Sequence, residues 1–159
     1  NYDSERTLSD QEISNLTDLA THAPSAFNLQ NWRFIAVRSS EAKARLLPLA
    51  YSQQKVMDAA VTFIVCGTLN PPESLPSSLK PTLDKGIIDE AIYDMWVGAA
   101  NGMYKDNPQL QRDEAIRSGS LAAMTLMLAA KGQGLASTPM MFSSLFECKH
   151  TGQAYGFVH

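Results

Sequence analysis

The stretch from Arg112 to Lys131 constrains the fold most. Ala115, Leu121, Ala122, Met124, Thr125, Leu126, Met127, Leu128, Ala129 and Ala130 leave it almost no polar stripe. A helix that is apolar nearly all round has to be buried on most faces, so the rest of the chain is expected to wrap around it. The small residues Gly119, Ser120, Ala122 and Ala123 allow a neighbour to approach closely, and Gly132 and Gly134 supply the stop signal. With 159 residues, 45% of them apolar and 18% charged, the chain can build the core of one domain spanning residues 1–159.

Charge and composition remove several classes of function. The formal charge is −3, from 13 basic and 16 acidic residues, and no long basic run occurs. Neither nucleic acid nor an anionic membrane surface is the expected partner. No run of about 18 apolar residues is present to cross a membrane. The polar start, Asn1 to Arg6, does not read as a signal peptide. Cys66 sits in an apolar run and reads as a buried thiol, and with Cys148 as the only other cysteine a disulfide scaffold is not expected. A reducing, cytoplasmic setting fits.

Ser9-Asp10-Gln11-Glu12 has the form of a capping box and opens a helix over residues 10–22, which Ala23-Pro24 ends. Residues 24–31 form a loop of small and amide residues. Residues 33–37 are a short strand, Ser39 or Ser40 caps a helix over 41–50, and residues 59–66 are a fully buried strand. The proline- and serine-rich stretch 70–81 reads as a mobile connection, a candidate lid. Helical spacing returns over 87–104, and Asn107-Pro108 breaks it. The order helix, strand, helix, strand, helix, helix predicts an α+β or α/β domain.

The loop carries the most informative residues: Ala23-Pro24-Ser25-Ala26-Phe27-Asn28-Leu29-Gln30-Asn31-Trp32-Arg33-Phe34. This segment resembles the A-P-S-x-x-N-x-Q-P-W-x-F segment of the FMN-dependent nitroreductase family, with Asn31 where the family usually has proline. Ser52-Gln53-Gln54-Lys55-Val56-Met57-Asp58-Ala59 is similar to the family's second flavin-contacting turn. Gly134-Leu135-Ala136-Ser137-Thr138-Pro139-Met140 is similar to its G-L-x-S-x-P-M segment. Read alone, Ser25, Asn28 and Gln30 are ordinary loop-capping residues and Lys55 a solvated surface lysine. Three blocks in family order carry the flavin reading.

The resemblance implies a three-layer sandwich, a mostly antiparallel sheet flanked by helices. It implies FMN as cofactor and hydride transfer from NAD(P)H to a small nitro-aromatic or quinone-like acceptor by a ping-pong mechanism. It also implies an intertwined homodimer with two sites, each lined by both chains. The reacting atoms belong to the flavin, so no catalytic side chain and no metal is expected. Pro24, Ser25 and Ala26 would allow close approach to the flat ring, and Asn28 and Gln30 would supply donors and acceptors at its polar edge. Lys55 would lie near flavin N1 and O2, where a cation favours the reduced ring. Ser52 stands where many members have asparagine, and Pro139 and Met140 complete the implied set. Trp32 and Phe34 read as core. Trp96 and Tyr104 either line a substrate mouth or pack inside. His22 alone does not mark a proton donor, nor Cys148 with His150 a metal site.

The family also has an arginine-rich segment ahead of the position of Tyr2, and a glycine-containing turn and a basic segment after Pro-Met. Residues 141–150 do not match the latter. Divergence, truncation and a missing stretch between Met140 and Met141 all remain open at this point. A non-catalytic or degenerate flavin- or ligand-binding protein of the same fold is therefore the alternative.

Overall fold

The computed structural model describes residues 3, 5–69, 71–140 and 154–158. Tyr2, Asn70 and residues 141–153, with Cys148 and His150, lie outside these. Three strands form one antiparallel sheet: β1 (Trp32–Val37), β2 (Thr62–Thr68) in the middle, and β3 (Ala154–Val158). β2 is buried along its whole length, as its composition requires, although it starts and ends a little later than residues 59–66. The sequence offers no expectation for β3.

Side-chain alternation along β2 divides the core. Phe63 and Val65 join Leu16 and Ala20 of α1 (Asp10–Ala20) and Ala123, Leu126 and Ala130 of α6 (Pro108–Gly132). Ile64 and Cys66 face the other way, with Leu46 of α2 (Ser40–Leu46), Ala50, Val56 of α3 (Lys55–Asp58) and Met140. Helices thus cover both faces of the sheet, giving the three-layer α+β sandwich. A third cluster joins Leu29 of the loop to Leu75 and Leu79 of α4 (Pro71–Asp84) and to Ala100 and Tyr104 of α5 (Glu90–Tyr104).

Helix starts follow local chemistry. The Ser9 hydroxyl accepts from the Glu12 N–H, and the Glu12 carboxylate accepts from the Ser9 N–H at 2.8 Å. Ser39, not Ser40, caps α2. Asp89 caps α5 through the Ile92 N–H, and Asn107 caps α6, with Pro108 in the first turn where its missing N–H costs nothing.

Two expectations need correction. Within the stretch 70–81, residues 71–81 are not a mobile connection, because Pro71–Asp84 is helical with Pro76 and Pro81 inside it. Each interior proline costs on the order of 3 kcal/mol. Burial of Leu75 and Leu79, both at 0% exposure and one turn apart, opposes that cost. The hydroxyls of Ser74, Ser77 and Ser78 donate to carbonyls within the helix. Nor is α6 buried on most faces in the single chain. Leu121, Met124 and Leu128 are 40%, 50% and 59% exposed, along one side.

The buried side of α6 crosses β2 at Gly67. A Cβ built at Gly67 would lie 2.1 Å from the Ala115 carbonyl oxygen, and one at Gly119 would lie 3.4 Å from the Gly67 nitrogen. Backbone therefore touches backbone, and nothing flexible is available to give way. Gly67→Ala is expected to lower stability by roughly 3 kcal/mol through overpacking. Gly132→Ala, where the Cβ meets nothing within 4 Å, should leave it within about 1 kcal/mol of the parent. Urea unfolding of both variants checks the contrast.

Candidate functional site

The loop before β1 is held in an unusual backbone. Among the described residues six non-glycine residues have positive φ. Five of them are Phe27 (51°), Asn28 (56°) and Gln30 (47°) here, and Tyr51 (54°) and Ser52 (54°), just before and at the start of the second family-like segment. Left-handed backbone costs an L-residue roughly 1–2 kcal/mol, and persists where surrounding structure over-determines it. In the loop, the Gln30 N–H donates to Ser25 Oγ at 3.0 Å and the Asn28 N–H to the Ser25 carbonyl. Gln30 Nε2 donates to Asn28 Oδ1 at 3.0 Å. Leu29, at 1% exposure, anchors the turn in the α4–α5 cluster. Pro24 is exposed, and Ser25, Ala26, Asn28 and Gln30 are half-buried.

The second segment leaves α2 through a 3₁₀ turn, Leu47–Ala50, and bends at Tyr51 and Ser52. Ser52 and Lys55 are exposed, and among the described residues Lys55 has no ion pair or hydrogen bond through its side chain. Val56 beneath it is fully buried. Lys43 of α2, only 8% exposed, donates to the Met57 and Ala59 carbonyls and ties this turn down. Burial pulls the Lys43 pKa below its usual value, against the opposing charge of Asp58. Met140 is buried in the same cluster as Val56, with Pro139 exposed beside it.

The predicted residues thus fall into two groups. Met140 belongs to the cluster on the α2–α3 face with Pro139 next to it in the chain, and Ser52 and Lys55 lie in the segment between and beside its members Ala50 and Val56. Ala26 packs in the α4–α5 cluster with Phe27 and Leu29, and Pro24, Ser25, Asn28 and Gln30 belong to the same loop. The register separates them further. The loop leads into Trp32, opposite Gly67, whereas the second segment leads into Thr62, opposite Val37. The two segments therefore enter the sheet at opposite ends of β2, a strand of seven residues that runs roughly 20 Å. His22 is exposed, and its Nδ1 lies 3.0 Å from the Asp18 carbonyl oxygen. Trp32 is core, and of Trp96 and Tyr104 it is Tyr104 that is fully packed inside.

Sequence reasoning missed Glu114. This carboxylate is 2% exposed on α6. It accepts from the Tyr104 hydroxyl at 3.1 Å and from the Ser118 hydroxyl at 3.0 Å, and Arg117 pairs with it from the surface side. The Tyr104 ring stands edge-on to Phe27, centroids 6.4 Å apart at 88°. Spacing gave a partial signal, since Glu114, Arg117 and Ser118 lie three and four residues apart on one helix face. The link to Tyr104 is tertiary.

The Nitroreductase family model matches residues 1–151, and the chain belongs to that family. It is 40% identical over 133 residues to the candidate NAD(P)H nitroreductase YodC of Bacillus subtilis (strain 168), covering 84% of this chain and 65% of YodC. It is 32% identical over 140 residues to the protein DrgA of Synechocystis, covering 88% of this chain and 64% of DrgA. The chain therefore spans a little under two thirds of either relative. A candidate nitroreductase from Exiguobacterium sibiricum, solved in complex with FMN, superposes with a TM-score of 0.87 at 28% identity, over 99% of this chain and 80% of that one. No described helix is long and apolar enough to cross a membrane.

Burial and then the Glu114 carboxylate push the Tyr104 hydroxyl up from 10.0 to about 12, with Arg117 pulling the other way. Ultraviolet titration should therefore find a tyrosine transition near pH 12, and Tyr104→Phe should remove it. The folded pKa is raised, so the stabilisation from Tyr104 is complete below pH 10 and lost as pH rises through about 12.

Proposed function

We propose that this chain binds FMN and, with it, passes hydride from NAD(P)H to a small nitro-aromatic or quinone-like acceptor, donor and acceptor taking turns in a ping-pong cycle. Family membership supports the class of reaction. The observation that carries the site is the left-handed backbone in both segments that resemble the family's flavin-contacting segments. The polar groups there suit a flat ring with one polar edge. Asn28 Nδ2 and Lys55 Nζ are unclaimed among the described residues, and both segments present backbone and small residues. When bound, FMN supplies the two-electron chemistry that no side chain here offers.

The chain's own residues bind and orient. Pro24, Ser25 and Ala26 let backbone approach the ring face. Asn28 donates an amide hydrogen to the polar edge, and Gln30 holds the Asn28 amide in place. Lys55 brings a positive charge to the N1–O2 side, with Ser52 beside it. Pro139 and Met140 close the site from the α2–α3 face. Because the two segments enter the sheet at opposite ends of β2, the 24–30 loop of one copy would meet the 52–55 turn of another. A homodimer sealed by the exposed Leu121, Met124 and Leu128 stripe of α6 supplies that arrangement. A cytoplasmic protein fits NAD(P)H as donor.

Purified protein is expected to be yellow, or to become so on adding FMN, and chromatography of the released cofactor should give FMN rather than FAD. A colourless protein that cannot be reconstituted favours the non-catalytic alternative. Asn28→Ala should weaken FMN binding by about 1–3 kcal/mol, from the unpaired polar atom it leaves. Lys55→Met should mainly lower the flavin potential and slow reduction by NAD(P)H. Spectroelectrochemistry beside FMN titration checks both, and an unchanged potential in Lys55→Met removes the role given to that lysine.

Dimerisation has a separate test. Leu128→Asp places a charge in the α6 stripe, and light scattering should then report a monomer with FMN affinity reduced at least tenfold, on the order of 1.4 kcal/mol. A monomeric parent that holds FMN stoichiometrically would overturn the shared site.

A further inference from the structure

Glu114 is a buried carboxylate with no place in the binding roles above. Burying a charge costs several kcal/mol unless its partners are well placed, and an apolar residue would fill the same space more cheaply. Its main buried partner, Tyr104, is held at three points. The ring packs with Leu29, Leu75, Leu79 and Ala100. The hydroxyl donates to Glu114 at 3.1 Å. The main-chain carbonyl accepts from Gln111 Nε2 at 2.7 Å. A ring fixed this way has one orientation, and its edge contact falls on Phe27, the first of the left-handed loop residues.

We propose that Glu114 is a positioning residue: through the Tyr104 hydroxyl it braces the left-handed Phe27–Asn28 turn, and so fixes where the Asn28 amide points. The second half of this statement rests on the FMN reading given above; the first does not. Phe27 and Asn28 at φ 51° and 56° relax toward ordinary backbone unless something holds them. Local hydrogen bonds tie residues 28–30 to one another and to Ser25. The Phe27 ring is held only by packing, and Tyr104 gives that packing a direction. Arg117 pairs with Glu114 at its outer side.

Amide hydrogen exchange on the flavin-free protein tests the brace, with Glu114→Gln and Tyr104→Phe as near-isosteric variants. Both should speed exchange at Asn28, Leu29 and Gln30 by about tenfold more than at Val56 and Ala59, whose N–H bonds lie in the other segment. Equal acceleration of both groups means Glu114 only adds global stability, and no acceleration means it braces nothing; either result overturns the proposal. FMN titration of the same variants should show affinity about tenfold weaker than the parent. Local loosening with unchanged FMN affinity overturns the link to Asn28. A parent that binds no FMN defeats the functional reading, while the exchange result still decides the brace.

Discussion

The contact between the Gly67 backbone and the Ala115 carbonyl is the one on which the other arrangements depend. Phe63, Val65 and Gly67 lie on the same face of β2, and their sizes fall in that order. Phe63 and Val65 meet Ala123, Leu126 and Ala130, while Gly67 meets Ala115 and Gly119 directly. The helix therefore comes closest at one end of the strand and lies further off at the other, where a larger side chain fills the wedge. That close end also holds the loop. Trp32 pairs with Gly67, the Thr68 N–H donates to the Asn31 carbonyl at 2.7 Å, and Asn31 Nδ2 donates to the Thr68 carbonyl at 3.2 Å. Glu114 precedes Ala115 on α6, so the crossing also sets where its carboxylate meets Tyr104.

Periodicity and capping made much of this legible. The Ser9–Glu12 box, the buried run in β2 and the small residues of α6 each express a local rule, and each appears where the rule puts it. Residues 70–81 failed because proline was read as punctuation. The repeat of Pro71, Leu75 and Leu79 at four-residue spacing was visible, but only packing against Ala100 and Tyr104 makes a helix with two interior prolines affordable. Gly67 looked like one glycine among nine, since its meaning lies in a helix more than forty residues away. Nine residues were assigned to the site from family resemblance; Glu114, joined to the loop through Tyr104, was not among them.

Asn31 shows how one departure from the family pattern alters local physics. A proline at this position would push the preceding residue toward extended backbone, yet Gln30 is left-handed at φ 47°. Asparagine removes that restriction and replaces the rigidity of a ring with a side-chain bond to Thr68. The exchange has a cost, because Asn31 Oδ1 is buried with no hydrogen-bond partner, which is worth on the order of 1–3 kcal/mol. In return Gln30 can turn back onto Asn28. The glutamine amide then supports its neighbour through one N–H.

Both strained segments need outside support, and the chain supplies it differently in each. The second segment is tied from beneath by Lys43, a buried cation on two carbonyls, and its own Lys55 is left exposed. The loop is held by Leu29, by Ser25 and by the Tyr104 ring against Phe27. Each half is therefore ordered before anything binds, so little conformational entropy is lost when a ligand arrives. The two segments enter the sheet at opposite ends of β2. On the proposed reading, association of two copies brings the halves together, and it also covers the apolar stripe of α6. Cofactor affinity and assembly then draw on the same free energy, and by linkage each strengthens the other.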